Sequence, residues 1–274
     1  MRVEKKHVLV TGGAHGIGRA LCRRFAREGA AAVTVVDLDL EGARTVAAEV
    51  DGQALAADVS RASDIERVIT TAEQTSGPID LLCSNAGVAF SDAPGWLASS
   101  QSDAQWERIW RINVMAHVWA ARAVLPGMIR RGGGYLLHTV SAAGLLNQIG
   151  DAAYSTTKHA ALGFAESVAI THGDQGIGVS VLCPQAVTTR MFQGEEFAAA
   201  AQAAMADGVL TPEEVAEAVV RGLEAESFLI LPHPQVLSYM QRKTADYDRW
   251  LRGMRRFRRG LIPSDDIMQL GEEE

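Results

Sequence analysis

Cysteine is scarce: Cys22, Cys83 and Cys183 are the only three in 274 residues. A disulfide-stapled scaffold is therefore excluded, and each thiol reads as a small apolar filler in a helix or near a strand end. Basic charge is not in excess, since the formal charge is -7, so neither nucleic acid nor an anionic membrane is an expected partner. The 26 glycines and eight prolines follow no period, which excludes collagen-like and low-complexity chains. No uncharged apolar run reaches the length of a bilayer span. The charged start Met1–His7 lacks the layout of a signal peptide, and the expected compartment is cytoplasmic. The seven histidines show no metal-ligand spacing, so no metal is expected. What is present is apolar content, 47% of residues, enough to bury a core. The length suits one large α/β domain.

Short β-branched runs alternate with longer stretches of helical spacing. Strands are expected at 7–11, 32–36, 54–57, 80–84, 135–140, 179–183 and 228–231. Helices are expected at 20–28, 41–50, 63–75, 102–131, 152–172 and 212–225. Fully apolar strands imply burial on both faces, and the alternation implies a parallel sheet with right-handed crossovers. The expected fold is α/β: a Rossmann-type, doubly wound parallel sheet with helices on both faces. Residues 1–232 are expected to form this one domain, and 233–274 a C-terminal helical extension of it.

The first strand runs into Thr11-Gly12-Gly13-Ala14-His15-Gly16-Ile17-Gly18, and a helix follows. Glycines allow a tight turn and a close approach to a pyrophosphate, and the helix N-terminus offers free N–H groups. His15 and Ile17 lie within that turn. Asp37 ends the second strand, with Leu38 after it, where an acid can accept both hydroxyls of an adenosine ribose. It repels a 2′-phosphate, and Asp39 adds to that field. NAD is favoured over NADP on this ground, with His15 and Arg19 as partial offsets.

Further on, Asn85-Ala86-Gly87 follows the fourth strand, and Ser141 ends the fifth. Tyr154 and Lys158, spaced i and i+4, share one helix face. Asn113 lies inside the first long helix. With these residues the chain resembles the short-chain dehydrogenases/reductases over roughly residues 5–231. The glycine motif matches Thr11, Gly12, Gly16 and Gly18; the adenine-side motif matches Asp58-Val59; the Asn-Ala-Gly motif matches Asn85, Ala86 and Gly87. The Asn–Ser–Tyr–Lys tetrad matches Asn113, Ser141, Tyr154 and Lys158. The resemblance implies seven strands in the order 3-2-1-4-5-6-7 and an NAD(P)-dependent alcohol dehydrogenase or ketone reductase. It also implies Tyr154 as acid/base, assisted by Lys158, which also holds the nicotinamide ribose. Ser141 would bind the substrate oxygen, and Asn113 would hold a water of a proton relay. Pro184, Val187 and Thr189 match nicotinamide-contacting positions. Two departures stand out. Gln185 replaces the usual glycine after Pro184, and Ser84 replaces an asparagine before Asn85.

The expected substrate pocket includes Ala143, Leu145, Gln148, Gln185, Met191 and Phe192, with the loop of Val88, Phe90 and Trp96 nearby. This lining is mostly apolar, which points to a lipophilic secondary alcohol or its ketone. Residues 190–210 are expected to form a lid, helical at Ala198–Ala204 by propensity. Beyond Leu231, Tyr247, Trp250, Leu251, Met254 and Phe257 follow helical spacing. Residues 235–260 carry eight Lys/Arg against two Asp, and the last fourteen carry five acids. This basic amphipathic helix can lie on its own domain, on a second subunit or on an anionic surface; a subunit contact is favoured. The resemblance implies a homo-oligomer, a tetramer or a dimer. A catalytically silent NAD-binding sensor is the competing reading, and the intact tetrad speaks against it.

Overall fold

Seven short strands alternate with helices because their side chains are apolar on both faces. The computed structural model describes residues 1–93, 96–189, 191 and 202–262. The strands are β1 (His7–Thr11), β2 (Ala32–Asp37), β3 (Gln53–Ala56), β4 (Leu81–Ser84), β5 (Gly134–Thr139), β6 (Ile177–Leu182) and β7 (Leu229–Ile230). All pair in parallel, in the order β3-β2-β1-β4-β5-β6-β7. Alternate residues face opposite sides. Leu9, Leu82 and Leu136 enter one core cluster; Val8, Val10, Leu81 and Leu137 enter the other.

One face is covered by α3 (Ala62–Ser76), α5 (Ala116–Arg130) and α6 (Ala152–His172). The other is covered by α1 (Gly16–Arg27), α2 (Leu40–Glu49) and α7 (Pro212–Glu224). Caps fix several helix starts. Ser102 and Gln105 form a capping box on α4 (Asp103–Trp110), and Thr211 and Glu214 form one on α7, which satisfies otherwise unpaired N–H groups.

The expected long helix 102–131 is α4 joined to α5 through a π-helical turn, Arg111–Met115. The helix Asp103–Arg130 is long and apolar enough to cross a membrane by length and composition, and half of its apolar window is buried. The C-terminal segment forms two helices, α8 (Gln235–Ala245) and α9 (Tyr247–Leu261). Only α9 is visible in the spacing of Tyr247 to Phe257. Asp246 separates the pair and caps α9 by accepting the Arg249 N–H.

The order of strands reverses at β1, so crossovers leave β1 and β4 on opposite sides of the sheet. The crevice between their C-terminal ends is where open α/β sheets bind ligands.

Candidate active site

The floor of that crevice is the turn after β1. Gly12 has φ +66°, and a Cβ there would lie 2.9 Å from Ala86 Cα. At Gly18 a Cβ would lie 1.9 Å from the Gly12 carbonyl oxygen. Any larger residue would push α1 off the strand. His15 stands at the α1 N-cap without a side-chain hydrogen bond to the helix, which leaves the first-turn N–H groups for a ligand. Gly12, His15, Gly16 and Ile17 line the cavity.

Asn85 holds this turn against the sheet. Its amide donates to the carbonyls of Thr11 (3.1 Å) and Gly12 (3.3 Å), and its oxygen accepts from Thr139 (3.1 Å). Thr11 Oγ1 accepts the N–H groups of Asn85 and Ala86. The Asn-Ala-Gly segment therefore secures the cradle as well as lining it.

Asp37 ends β2 and Leu38 follows it, while Asp58 and Val59 follow β3; none of the four lines the cavity. Asp37 accepts N–H groups from Ala14 and Asp39, both at 3.0 Å. The Leu38 side chain is 73% exposed. The Gly42 N–H and His15 hydrogen bonds hold the Asp39 carboxyl below its usual range, and Nε2 of His15 lies 3.0 Å from it. Arg19 is engaged by Glu49 at 2.6 Å. Asp58 accepts the Ser60 N–H at 3.0 Å and lies 3.4 Å from Arg61. The Ser60 hydroxyl foremost, with the Ser60 N–H and Arg61, holds the Asp58 carboxyl below the usual range. The side chain of Val59 joins the core, so only its backbone can face a ligand.

Ser141, Tyr154 and Lys158 meet inside the cavity. Asp151, three residues before the tyrosine, caps α6 by accepting the Tyr154 N–H at 2.9 Å. One turn later Lys158 Nζ lies 5.5 Å from the Tyr154 ring centroid and donates to the Thr139 carbonyl at 3.0 Å. Tyr154 is hydrogen-bonded to Ser141, whose Oγ accepts the Ala143 N–H at 3.1 Å. Burial dominates the electrostatics. It pushes the Tyr154 hydroxyl up to about 12 and the Lys158 ammonium down to about 8. The nearby His117 and His138 share a 2.8 Å contact between Nδ1 atoms, and burial lowers both, His138 to about 4.

Asn113 occupies the π turn and is fully buried. Its oxygen accepts the Val88 N–H at 2.9 Å. Its amide donates to the Val88 carbonyl (2.9 Å) and to Thr157 Oγ1 (3.2 Å). The side chain thus fastens the loop after β4 to α6, and these bonds occupy its amide.

The cavity measures about 710 Å³. Ala143, Gln148, Gln185, Val187, Thr189, Met191 and Pro184 line it, as the sequence suggests, and so do Asn85, Ala86 and Gly87. Leu145 does not. The short 3-10 turn at Ala142–Gly144 directs it into the core, and Leu146 takes its place in the wall. Phe90 likewise packs against Tyr154, Ala153 and Ile109. Trp96 lines a neighbouring hollow. Phe192 and most of the expected lid, with much of Ala198–Ala204, lie outside the described residues. Gln185 is held from two sides: its amide donates to Asp207 at 3.0 Å, and its N–H reaches His233 at 3.2 Å.

The sequence reading missed α8 and the inward face of α9. Tyr239 and Arg242 of α8, with Trp250, Met254 and Phe257 of α9, complete the cavity wall. Lys243 reaches the Leu145 carbonyl at 2.7 Å, and Arg258 reaches the Trp96 carbonyl at 2.9 Å. The extension thus packs on its own domain, through two backbone carbonyls and an apolar rim. The helical spacing of Tyr247 to Phe257 signals an apolar face; only the fold shows what it meets.

The model of the short chain dehydrogenase family matches residues 6–199. The chain is 35% identical to the 1-deoxy-11-beta-hydroxypentalenate dehydrogenase of Streptomyces exfoliatus, over 84% of each. It is 35% identical to 2-(S)-hydroxypropyl-CoM dehydrogenase 3 of Xanthobacter autotrophicus, over 80% of this chain and 89% of that one. A short-chain dehydrogenase/reductase from Burkholderia phymatum, solved in complex with NAD, shares the fold with TM-score 0.81 at 24% identity. That match covers 90% of this chain and 96% of the other. The family model stops before α8 and α9, so the wall they contribute lies outside it. With its glycine cradle and its buried Ser141, Tyr154 and Lys158, the chain belongs to the short-chain dehydrogenase/reductase family, and the relatives named above are dehydrogenases.

Proposed function

We propose that the protein interconverts a bulky, lipophilic secondary alcohol and its ketone by NAD-dependent hydride transfer, with Tyr154 as acid/base. The observation that carries this reading is the meeting of Ser141, Tyr154 and Lys158 in one cavity with the glycine cradle of β1. Relatives named for borneol and for a 3beta-hydroxysteroid support the substrate class.

The residues fit a dinucleotide. Gly12 and Gly18 let the turn close tightly on Ala86 and on α1, and the N-terminus of α1 opens into the cavity, where its free N–H groups would meet a pyrophosphate. When bound, NAD accepts or returns the hydride and brings a positive ring charge. Asp37, at the end of β2, would accept the adenosine ribose hydroxyls, and Asp39 adds a second negative charge. Arg19 is taken up by Glu49 and His15 by Asp39 itself, so little offsets Asp37, which favours NAD over NADP. Lys158 is placed to hold the nicotinamide ribose, and Pro184, Val187 and Thr189 the nicotinamide side.

Tyr154 takes the alcohol proton as hydride leaves carbon, or returns it to the ketone. Its hydroxyl stands at about 12. Bringing it near neutrality requires ~7 kcal/mol of preferential stabilisation of the phenolate. Lys158 contributes through its positive charge, strengthened by burial. Ser141 donates to the substrate oxygen where charge develops. Asn113 acts here chiefly as a fastening that keeps Val88 and α6 in register; a relay water would have to use its backbone carbonyl. The homo-oligomer and the cytoplasmic setting belong to the same reading.

The test is reduced-nicotinamide absorbance with NAD or NADP over a panel of lipophilic secondary alcohols. NAD-dependent turnover should fall about 10³-fold in Tyr154→Phe, with NAD binding retained. Undiminished turnover in that variant would refute the assignment. NAD binding with no turnover on any panel member would favour the silent-sensor reading.

A further inference from the structure

We propose that Arg242 anchors an anionic group, of carboxylate class, carried by the substrate at the end remote from its carbinol. The inference rests on the reading of this cavity as the alcohol site. Among the described residues, three cationic or titratable basic side chains line the cavity: His15 on the cofactor side, Lys158 beside Tyr154, and Arg242 on α8. The first two have roles in the proposed reaction. Arg242 does not.

Its surroundings leave the guanidinium available. Among the described residues Arg242 forms no ion pair. Its guanidinium carbon lies 5.7 Å from the centroid of the Tyr239 ring, a cation–π contact that sets its direction without neutralising it. The acid in the cavity wall, Asp207, is already engaged: one oxygen accepts the Tyr239 hydroxyl at 2.8 Å, the other the Gln185 amide at 3.0 Å. Around them the wall is apolar, with Met191, Trp250, Met254 and Phe257.

An apolar body fills that wall, and an anion at its end meets the fork of donors on Arg242. Arg242 itself is exposed at the rim, so the pair is partly screened and its effect is modest. Its role is selection among bulky alcohols: those bearing a carboxylate bind better than neutral analogues of the same shape. This also gives Gln185 a function. By tying Asp207 in place it keeps that carboxylate from pairing with the arginine.

The experiment compares adamantane-1-carboxylate with adamantane-1-carboxamide, a bulky pair of near-equal shape, by calorimetry on the NAD-loaded protein. The carboxylate should bind about two- to fivefold more tightly. Arg242→Gln should erase the difference and Arg242→Lys should keep part of it. Arg249→Gln removes the same charge from α9 at a position that lines neither hollow, and should leave the difference intact. Equal affinities in the wild type, no binding of the carboxylate, or an equal loss in Arg249→Gln would each overturn the proposal. Binding needs no turnover, so Tyr154→Phe should keep the difference. A difference that persists while no alcohol is oxidised would sink the reaction reading and leave the anchor standing.

Discussion

Replacing Lys158 by methionine should make the free protein more stable at pH 7. The lysine is 2% exposed, among the largest fully buried side chains. Its one hydrogen bond goes to the Thr139 carbonyl, and among the described residues it has no acid partner. Burial brings its ammonium from 10.5 down to about 8, so holding the charge at pH 7 costs the fold ~3 kcal/mol. Methionine removes that cost and forfeits a hydrogen bond of ~1 kcal/mol, for a net gain of ~2 kcal/mol. The sign with pH is fixed by linkage. Between about 8 and 10.5 the unfolded chain binds the proton and the folded chain does not, so stability rises with pH in that window. From about pH 7 to about pH 9.5 the wild type should therefore gain ~2 kcal/mol relative to Lys158→Met. Urea melts of both proteins at the two pH values give the four free energies needed. Other titrating groups cancel in the difference. A variant less stable than wild type at pH 7, with the same pH dependence, would refute the claim that the lysine is a strained charge. On the proposed mechanism the same variant loses turnover.

Two further predictions follow from the acids. Burial, more than its contact with Asp92, raises the Asp151 carboxyl from 3.8 to about 7, so it contributes stability at low pH that is lost as pH rises from about 4 to about 7. Asp151→Asn should flatten the fall in melting temperature between pH 5 and pH 8; an identical fall in both proteins would count against it. Asp37→Asn removes one negative charge beside the ribose position. A charge some 5 Å away at an intermediate dielectric is worth ~1.5 kcal/mol, so KM for NADP should drop about tenfold; an unchanged NADP KM would show that Asp37 does not set the preference.

Much of the site was legible because it rests on short-range geometry. A turn that must approach α1 and β4 closely demands glycine at Gly12 and Gly18. The 3.6-residue period places Tyr154 and Lys158 on one face of α6 whatever surrounds them. The strands declared themselves through apolar runs buried on two sides. Elsewhere the local pattern ran out. Neither Leu145 nor Leu146 shows in the sequence which of them faces the cavity, since one turn of 3-10 helix decides it. The register shift at Arg111–Met115 is invisible in composition, yet it sits where Asn113 reaches Val88. Helix α8 carries no strong apolar stripe, and its contribution depends on where Tyr239 and Arg242 arrive.

The sequence by itself determined the layered α/β sheet, its order of elements, the glycine turn after β1 and the shared helix face of Tyr154 and Lys158. Each follows from periodicity, backbone sterics or spacing along one helix. Only the tertiary structure decided the far wall of the cavity, the direction of Arg242 and the perturbed state of the two catalytic candidates. These depend on burial and on contacts between segments 80 or more residues apart, such as Lys243 with Leu145 and Tyr154 beneath its own fold. No local pattern encodes how much water a side chain will lose when distant segments close over it.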